Sequence, residues 1–183
     1  MAAMKRSGSM LLMFLLMGFP VLNAGCGGEV PQPTMEASEG EIICTVPEST
    51  DTAAENTGED AEASWREYLE EYGDELVYVE LNEPVTLSFE GEQPEELEIR
   101  DSIIDENGAL RYEERGTELR AFTWDEEQQA YTIYIPGHFG SMLSSDSADY
   151  ERGACLRGME IHYQWNGEEY TSLLALRTDA GLM

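Results

Sequence analysis

At 183 residues the chain is long enough for one ordinary domain and little more. Its 38 Asp and Glu residues against 10 Lys and Arg give a formal net charge of −28, and the resulting long-range field repels polyanions. Nucleic acid and anionic lipid headgroups are therefore poor partners, which leaves cations, cationic peptides, neutral ligands or another protein, or a charge that serves only solubility.

The chain opens with Lys5 and Arg6, followed by an apolar run from Met10 to Leu22 that Gly18 and Pro20 interrupt. The run falls short of the roughly 20 apolar residues of a spanning helix and fits the apolar region of a secretory signal. The basic pair orients the segment so that the chain beyond it is exported. Small residues Ala24 and Gly25 come next, then Cys26. Gly25-Cys26 behind these residues resembles the lipobox of bacterial lipoproteins, with Asn23 where that family usually carries Leu and Leu22 one place further back. The resemblance implies a signal peptide over 1–25, cleavage before Cys26, a diacylglyceryl group on its thiol, and a location on the extracytoplasmic face of the cell membrane. The alternative is a secreted protein cut near Ala24 with Cys26 free. Dropping the two charges of Lys5 and Arg6 takes the formal −28 to −30, so the mature protein would stand off a negative bilayer unless anchored covalently.

With Cys26 acylated, Cys44 and Cys155 remain as an even pair in a compartment that permits disulfides; they could bridge, or stay as two partly buried thiols. No CxxC, Cys/His cluster or HExxH helix occurs, so neither a structural nor a catalytic zinc is expected, and no cofactor is implied. Residues 26–63 read as an acidic disordered linker: from Gly27 to Ala63 there are ten acidic residues and no basic one, with Pro31, Pro33 and Pro47. Such a tether would span roughly 35 Å or more. One β-prone island, Ile42 to Val46, could pair onto the domain as an edge strand and bury Cys44.

The folded domain is expected over 64–183. Ser64-Trp65-Arg66-Glu67 fits a capping box, Trp65, Leu69 and Tyr72 lie on one face of a short helix, and Gly73 can end it. From there the period turns to two. Strands are expected over Leu76–Leu81, Val85–Phe89, Leu97–Ile103, Ala109–Tyr112, Leu119–Trp124, Ala130–Ile135, Leu156–Trp165 and Tyr170–Thr178. Asn107-Gly108, the polar run 125–129, and Asn166-Gly167 mark hairpins. Seven or eight strands in about 105 residues, with no helices between them, read as an all-β fold: a single antiparallel β-sandwich, Ig-like in architecture. The ending from Arg157 to Tyr170 and Arg177-Thr178-Asp179 resembles small uncharacterised sandwich domains in lipoproteins of Gram-positive bacteria, a resemblance that implies no activity.

Chemistry has one place to sit. Pro136 to Ala154 is a long stretch without strand period that holds His138, Ser141, Ser144, Ser145, Asp146 and Asp149. A Ser/His/Asp hydrolase could be drawn from it, although triad members usually come from separate elements and no G-x-S-x-G turn is present. Asp146, Asp149 and Glu151 could form a weak calcium site; Asp105-Glu106-Asn107-Gly108 fails as an EF-hand because Ile103 falls where the first Asp belongs. His162 reads as a packed strand residue. Tyr131, Tyr134, Tyr163, Trp165 and Tyr170 read as cross-strand packing more than as a recognition surface. The resulting expectation is a membrane-anchored, non-catalytic binding or structural module of unknown ligand, with a hydrolase and a calcium-stabilised envelope domain as alternatives.

Overall fold

The computed structural model describes residues 30–46, 48–49, 58–112 and 116–181. Ten strands occur among them: β1 (Thr34–Ala37), β2 (Gly40–Ile42), β3 (Glu48–Ser49), β4 (Pro84–Ser88), β5 (Glu96–Ile103), β6 (Glu118–Leu119), β7 (Phe122–Asp125), β8 (Ala130–Tyr134), β9 (Cys155–Trp165) and β10 (Glu168–Thr178). One helix, α1 (Gly58–Tyr72), lies between β3 and β4. The strands form two antiparallel sheets, ordered β2-β1-β4-β8-β7 and β3-β10-β9-β5-β6. One core joins them: Met35, Val85, Leu87 and Ile133 from the first sheet meet Ile99, Met159, Ile161 and Leu174 from the second. These are alternate residues along each strand, as a sheet buried on one face requires. The antiparallel, mostly β reading therefore holds.

The second sheet is covered on its outer face as well. Trp65, Tyr68, Leu69 and Tyr72, at helical spacing on α1, pack with Ile104, Leu156, Leu173 and Ala175. Gly158 makes room: a Cβ there would lie 3.0 Å from the Trp65 ring. The helix thus docks by its apolar stripe, but it starts at Gly58 rather than at Ser64, which lies mid-helix and is not a cap.

The expected linker needs a larger correction. Residues 34–42 form a hairpin, β1–β2, whose first strand pairs with β4 from Thr34↔Ser88 to Glu36↔Thr86. Met35, Ile42 and Cys44 lie in the core, so the few apolar residues of this acidic stretch are spent on tertiary burial. The segment continues across the second sheet, where Thr45 N–H donates to Leu173 O (2.9 Å) and Leu173 N–H donates to Thr45 Oγ1 (2.8 Å). Tyr68 of α1 donates to Ile43 O at 2.7 Å. The edge strand expected at Ile42–Val46 exists one step earlier, at Gly40–Ile42, and Cys44 is buried as that docking implied.

Cys44 and Cys155 are both free and buried. Cys44 precedes Thr45, which meets β10 at Leu173 opposite Glu160; Cys155 pairs with Thr178, five residues along β9. That offset is about 17 Å along a strand, far beyond bridging reach, so the disulfide alternative gives way to two separate thiols. Burial pushes the Cys44 thiol up to about 12.

Three expected strands also change. Leu76–Leu81 contributes only a parallel bridge, Tyr78↔Arg177, beside β10. Ala109–Tyr112 shrinks to the bridge Ile104↔Leu110, because the Asp105 carboxylate takes the N–H groups of Asn107 and Ala109 and closes the turn itself. Leu119–Trp124 divides between the sheets: β6 pairs with Arg100 and Asp101, β7 with β8, and the chain crosses over at Arg120 and Ala121. Asn166-Gly167 meets its expectation, with φ of 54° and 81° closing the β9–β10 hairpin.

The molecule has two distinct ends. One carries this hairpin, the 125–129 turn and the entry of the chain, where Tyr163 O–H donates to Pro31 O at 3.1 Å. The other carries the loops 104–112 and 135–154 and the β1–β2 turn, where Arg152 lies 3.6 Å from Glu39. The 11 residues of β9 separate them by about 33 Å.

Candidate functional site

At the end remote from Pro31, charged side chains occupy positions that strand alternation reserves for apolar ones. Ile99, Asp101 and Ile103 face the core from β5, and Arg157 continues the inward row of Ile161 and Met159 on β9. Asp101 and Arg157 are both wholly buried. Arg157 Nε donates to Asp101 Oδ1 at 2.9 Å, Nη2 donates to Oδ2, and Nη1 donates to Pro136 O at 3.1 Å. Arg120, turned inward where the chain changes sheets, donates from Nε to Asp101 Oδ2 (2.5 Å) and from Nη2 to Glu118 Oε2 (2.6 Å). Two carboxylates thus face two guanidiniums. A closed network of this kind offsets its own desolvation, and its usual return is a defined arrangement more than added stability.

His138 sits against this network with almost no exposure. Its Nδ1 accepts from Gly140 N–H at 3.0 Å, so Nε2 carries the proton and donates to Asp101 O at 3.2 Å. Burial lowers the ring's pKa below its ordinary value near 6.5; the carboxylates of Asp101 and Glu118 pull the other way without reversing it. The ring is therefore neutral, and its 3.7 Å approach to Glu118 Oε1 is a contact between two acceptors, not an ion pair. That oxygen is satisfied instead by Phe139 N–H at 2.9 Å. Burial raises the Glu118 pKa, but the Phe139 amide and Arg120 outweigh it and hold the carboxyl below its ordinary range.

Above the network lies an open cleft of about 250 Å³, lined by Tyr112, Glu118, His138, Phe139, Gly140 and Leu143. Its rim is apolar and solvent-facing, with Phe139 63% and Leu143 55% exposed. Gly140 is required by packing: a Cβ there would lie 2.7 Å from the Tyr112 ring and 3.2 Å from His138 Nδ1. The 3-10 turn Phe139–Leu143, capped by His138, sets this wall of the cleft.

The hydrolase arrangement is not assembled. Ser141 Oγ donates to the backbone O of His138 (2.7 Å) and accepts from Gly181 N–H (3.0 Å), away from the imidazole nitrogens. Ser144 donates to Asp149 (2.5 Å), whose carboxylate also takes Arg111 Nη2 (2.8 Å), and Asp146 caps the turn at Ser147–Tyr150. Ser145 is exposed on the segment between the two 3-10 turns. Among the described residues no three His, Cys, Asp or Glu side chains are placed to hold a metal ion, and the Asp146, Asp149 and Glu151 group is not brought together.

His162 lies on the outer face of β9, its ring bonded to Glu160 (2.8 Å) and Thr171 (3.0 Å). Two of the aromatic contacts are those of cross-strand neighbours, with the Trp124 and Tyr131 rings 4.9 Å apart and those of Tyr163 and Tyr170 5.7 Å apart, while Phe89 meets Tyr163 at 4.9 Å across the core between the two sheets. Tyr134 is the exception and points to solvent. Cys26 and the apolar run at 10–22 lie outside the described residues, among which no helix is long and apolar enough to cross a membrane.

Asp101, Arg120, Arg157, Glu118 and Tyr112 form or frame the site, and sequence reasoning missed all five. A signal for two of them was present: Asp101 and Arg157 interrupt the apolar parity of strands in opposite charge, which is how a buried pair reads in sequence. Comparison with protein-family models, curated proteins and solved structures returns no match for this chain.

Proposed function

We propose that the protein is a lipid-anchored, extracytoplasmic binding module without catalytic function, built on an Ig-like domain that presents a small cleft to the side away from the membrane. The carrying observation is placement. The chain docks onto the domain at Val30 and Pro31, with only three residues between Cys26 and Val30, and the cleft lies toward the opposite end: its Glu118 is level with Met159, four residues or about 13 Å along β9 from Tyr163, which meets Pro31. The tether would therefore be short, and the domain would be held near the bilayer by its hairpin end with the cleft outward. The Ig-like reading draws support from strand order: β1-β4-β8-β7 against β10-β9-β5 follows the A-B-E-D and G-F-C orders of that architecture. A binding role draws support from the cleft itself, an apolar rim over a fixed, hydrogen-bonded polar floor, the composition of a ligand site.

The test combines fractionation with intact mass. The wild-type protein is expected in the membrane fraction, begins at Cys26 and carries the mass of a diacylglyceryl group, while a Cys26→Ala variant is released. A variant that stays with the membrane through carbonate washing, or a wild-type mass lacking lipid, rejects the anchor.

A further inference from the structure

We propose that the occupant of the cleft is the cationic side chain of a peptide, an arginine or lysine whose stem lies between Tyr112 and Phe139 and whose head group reaches Glu118. This rests on reading the cleft as the ligand site and adds the chemistry of the ligand. Five observations converge on it. Arg120 and Arg157 do not line the cleft and are almost wholly buried, so the formal charge a ligand meets among the lining residues is the Glu118 carboxylate. That carboxylate is 32% exposed and has accepted one hydrogen bond on each oxygen, which leaves a lone pair on each for an incoming donor. It is held in place by a backbone N–H and a buried guanidinium, so its orientation is set before any ligand arrives. The aromatic walls suit a cation, because ring faces attract positive charge. The −28 of the whole chain adds long-range attraction for a cationic segment and repels an acidic one.

The experiment uses the full chain, 15N-labelled and held in non-ionic detergent, titrated with N-acetyl-arginine N-methylamide. Two probes run beside it: the citrulline analogue, which keeps the shape and loses the charge, and N-acetyl-phenylalanine N-methylamide. Saturable amide shifts are expected at Glu118, Phe139 and Gly140 with the arginine probe, weakened about tenfold or more with citrulline, as befits loss of a charge-assisted hydrogen bond. Glu118→Gln should reproduce that loss. Phe139→Ala, at a solvent-facing position whose loss leaves the core intact, should weaken binding about threefold through the missing ring face. Equal binding of arginine and citrulline, or arginine shifts scattered over the acidic surface and unaffected by Glu118→Gln, overturns the cationic assignment. Cleft shifts with the phenylalanine probe alone overturn it too, while leaving the cleft as a ligand site. No cleft shift with any probe removes both readings.

Discussion

Removing the carboxylate of Asp101 would leave the buried guanidiniums of Arg157 and Arg120 without their shared partner, and the remaining carboxylate, Glu118, is bonded to Arg120. Asp101→Ala is therefore expected to cost about 3–5 kcal/mol in denaturant unfolding, the range for breaking a buried pair from one side. The neighbouring ion pair Arg100–Glu98, on the outer face and nearly half exposed on both sides, should contribute within about 0.5 kcal/mol, so Arg100→Ala serves as the contrast. His138 gives a pH signature. Its folded pKa lies below its unfolded one, so on acidification the unfolded chain takes up the proton first and stability falls as pH drops below about 6.5 toward the folded value. The groups facing the ring are Asp101, Arg157 and Glu118, and the last, with its own pKa lowered, loses its contribution only further into acid. Between about pH 7.5 and about pH 5.5 the wild type should lose more stability than His138→Gln, which keeps a donor and an acceptor without the titration. Parallel pH profiles for the two proteins would show that the ring is not held neutral by burial.

Two glycines with nearly the same backbone separate conformational strain from packing at the level of single elements. Gly167 in the β9–β10 hairpin has φ +81° and open space where a Cβ would go; Gly108, after the Asp105 turn, has φ +83° but its Cβ would lie 2.5 Å from the backbone N of Arg66 and 2.8 Å from Trp65 C. Gly167→Ala should cost only the left-handed backbone penalty, about 1–2 kcal/mol. Gly108→Ala should cost about 1–3 kcal/mol beyond that, because helix α1 must lift from the second sheet. Thermal unfolding of the two variants checks the ordering, and loss of Trp65 burial by fluorescence should accompany only Gly108→Ala. The same contrast explains why two Asn-Gly pairs built different turns. Asn166-Gly167 faces solvent and follows local preference, whereas Asn107-Gly108 is pressed against a helix and takes its geometry from Asp105 and that contact.

At the scale of the whole molecule, the β1–β2 hairpin decides where the domain begins. A chain shortened to start at Val30 should retain full stability, while one starting at Ser64 loses Met35, Ile42 and Cys44 from the core and bares β4 as a new edge. At about 1.5–3 kcal/mol for each fully buried apolar side chain, that loss is on the order of 5 kcal/mol, comparable to the entire stability of a typical domain. The Ser64 form is therefore expected to be unfolded or aggregated by circular dichroism and gel filtration. An acidic segment without basic residues looks like a spacer in composition, yet its apolar residues are those the core needs.

Local pattern alone determined the antiparallel β character, the apolar face of α1 and the β9–β10 hairpin, because alternation and turn chemistry are properties of neighbours in sequence. Cys26 and the run before it carry the expectation of an address in the same local way. Tertiary structure alone decided the rest. The β1–β2 hairpin joins through contacts with β4, more than forty residues on, that no window around Met35 contains. The site forms only where β5, the crossover at Arg120, the His138 loop and β9 converge, so Asp101 finds Arg157 across 56 positions of chain. A buried charge is tolerable only beside its counter-charge, and which counter-charge stands beside it is settled by the packing of the two sheets.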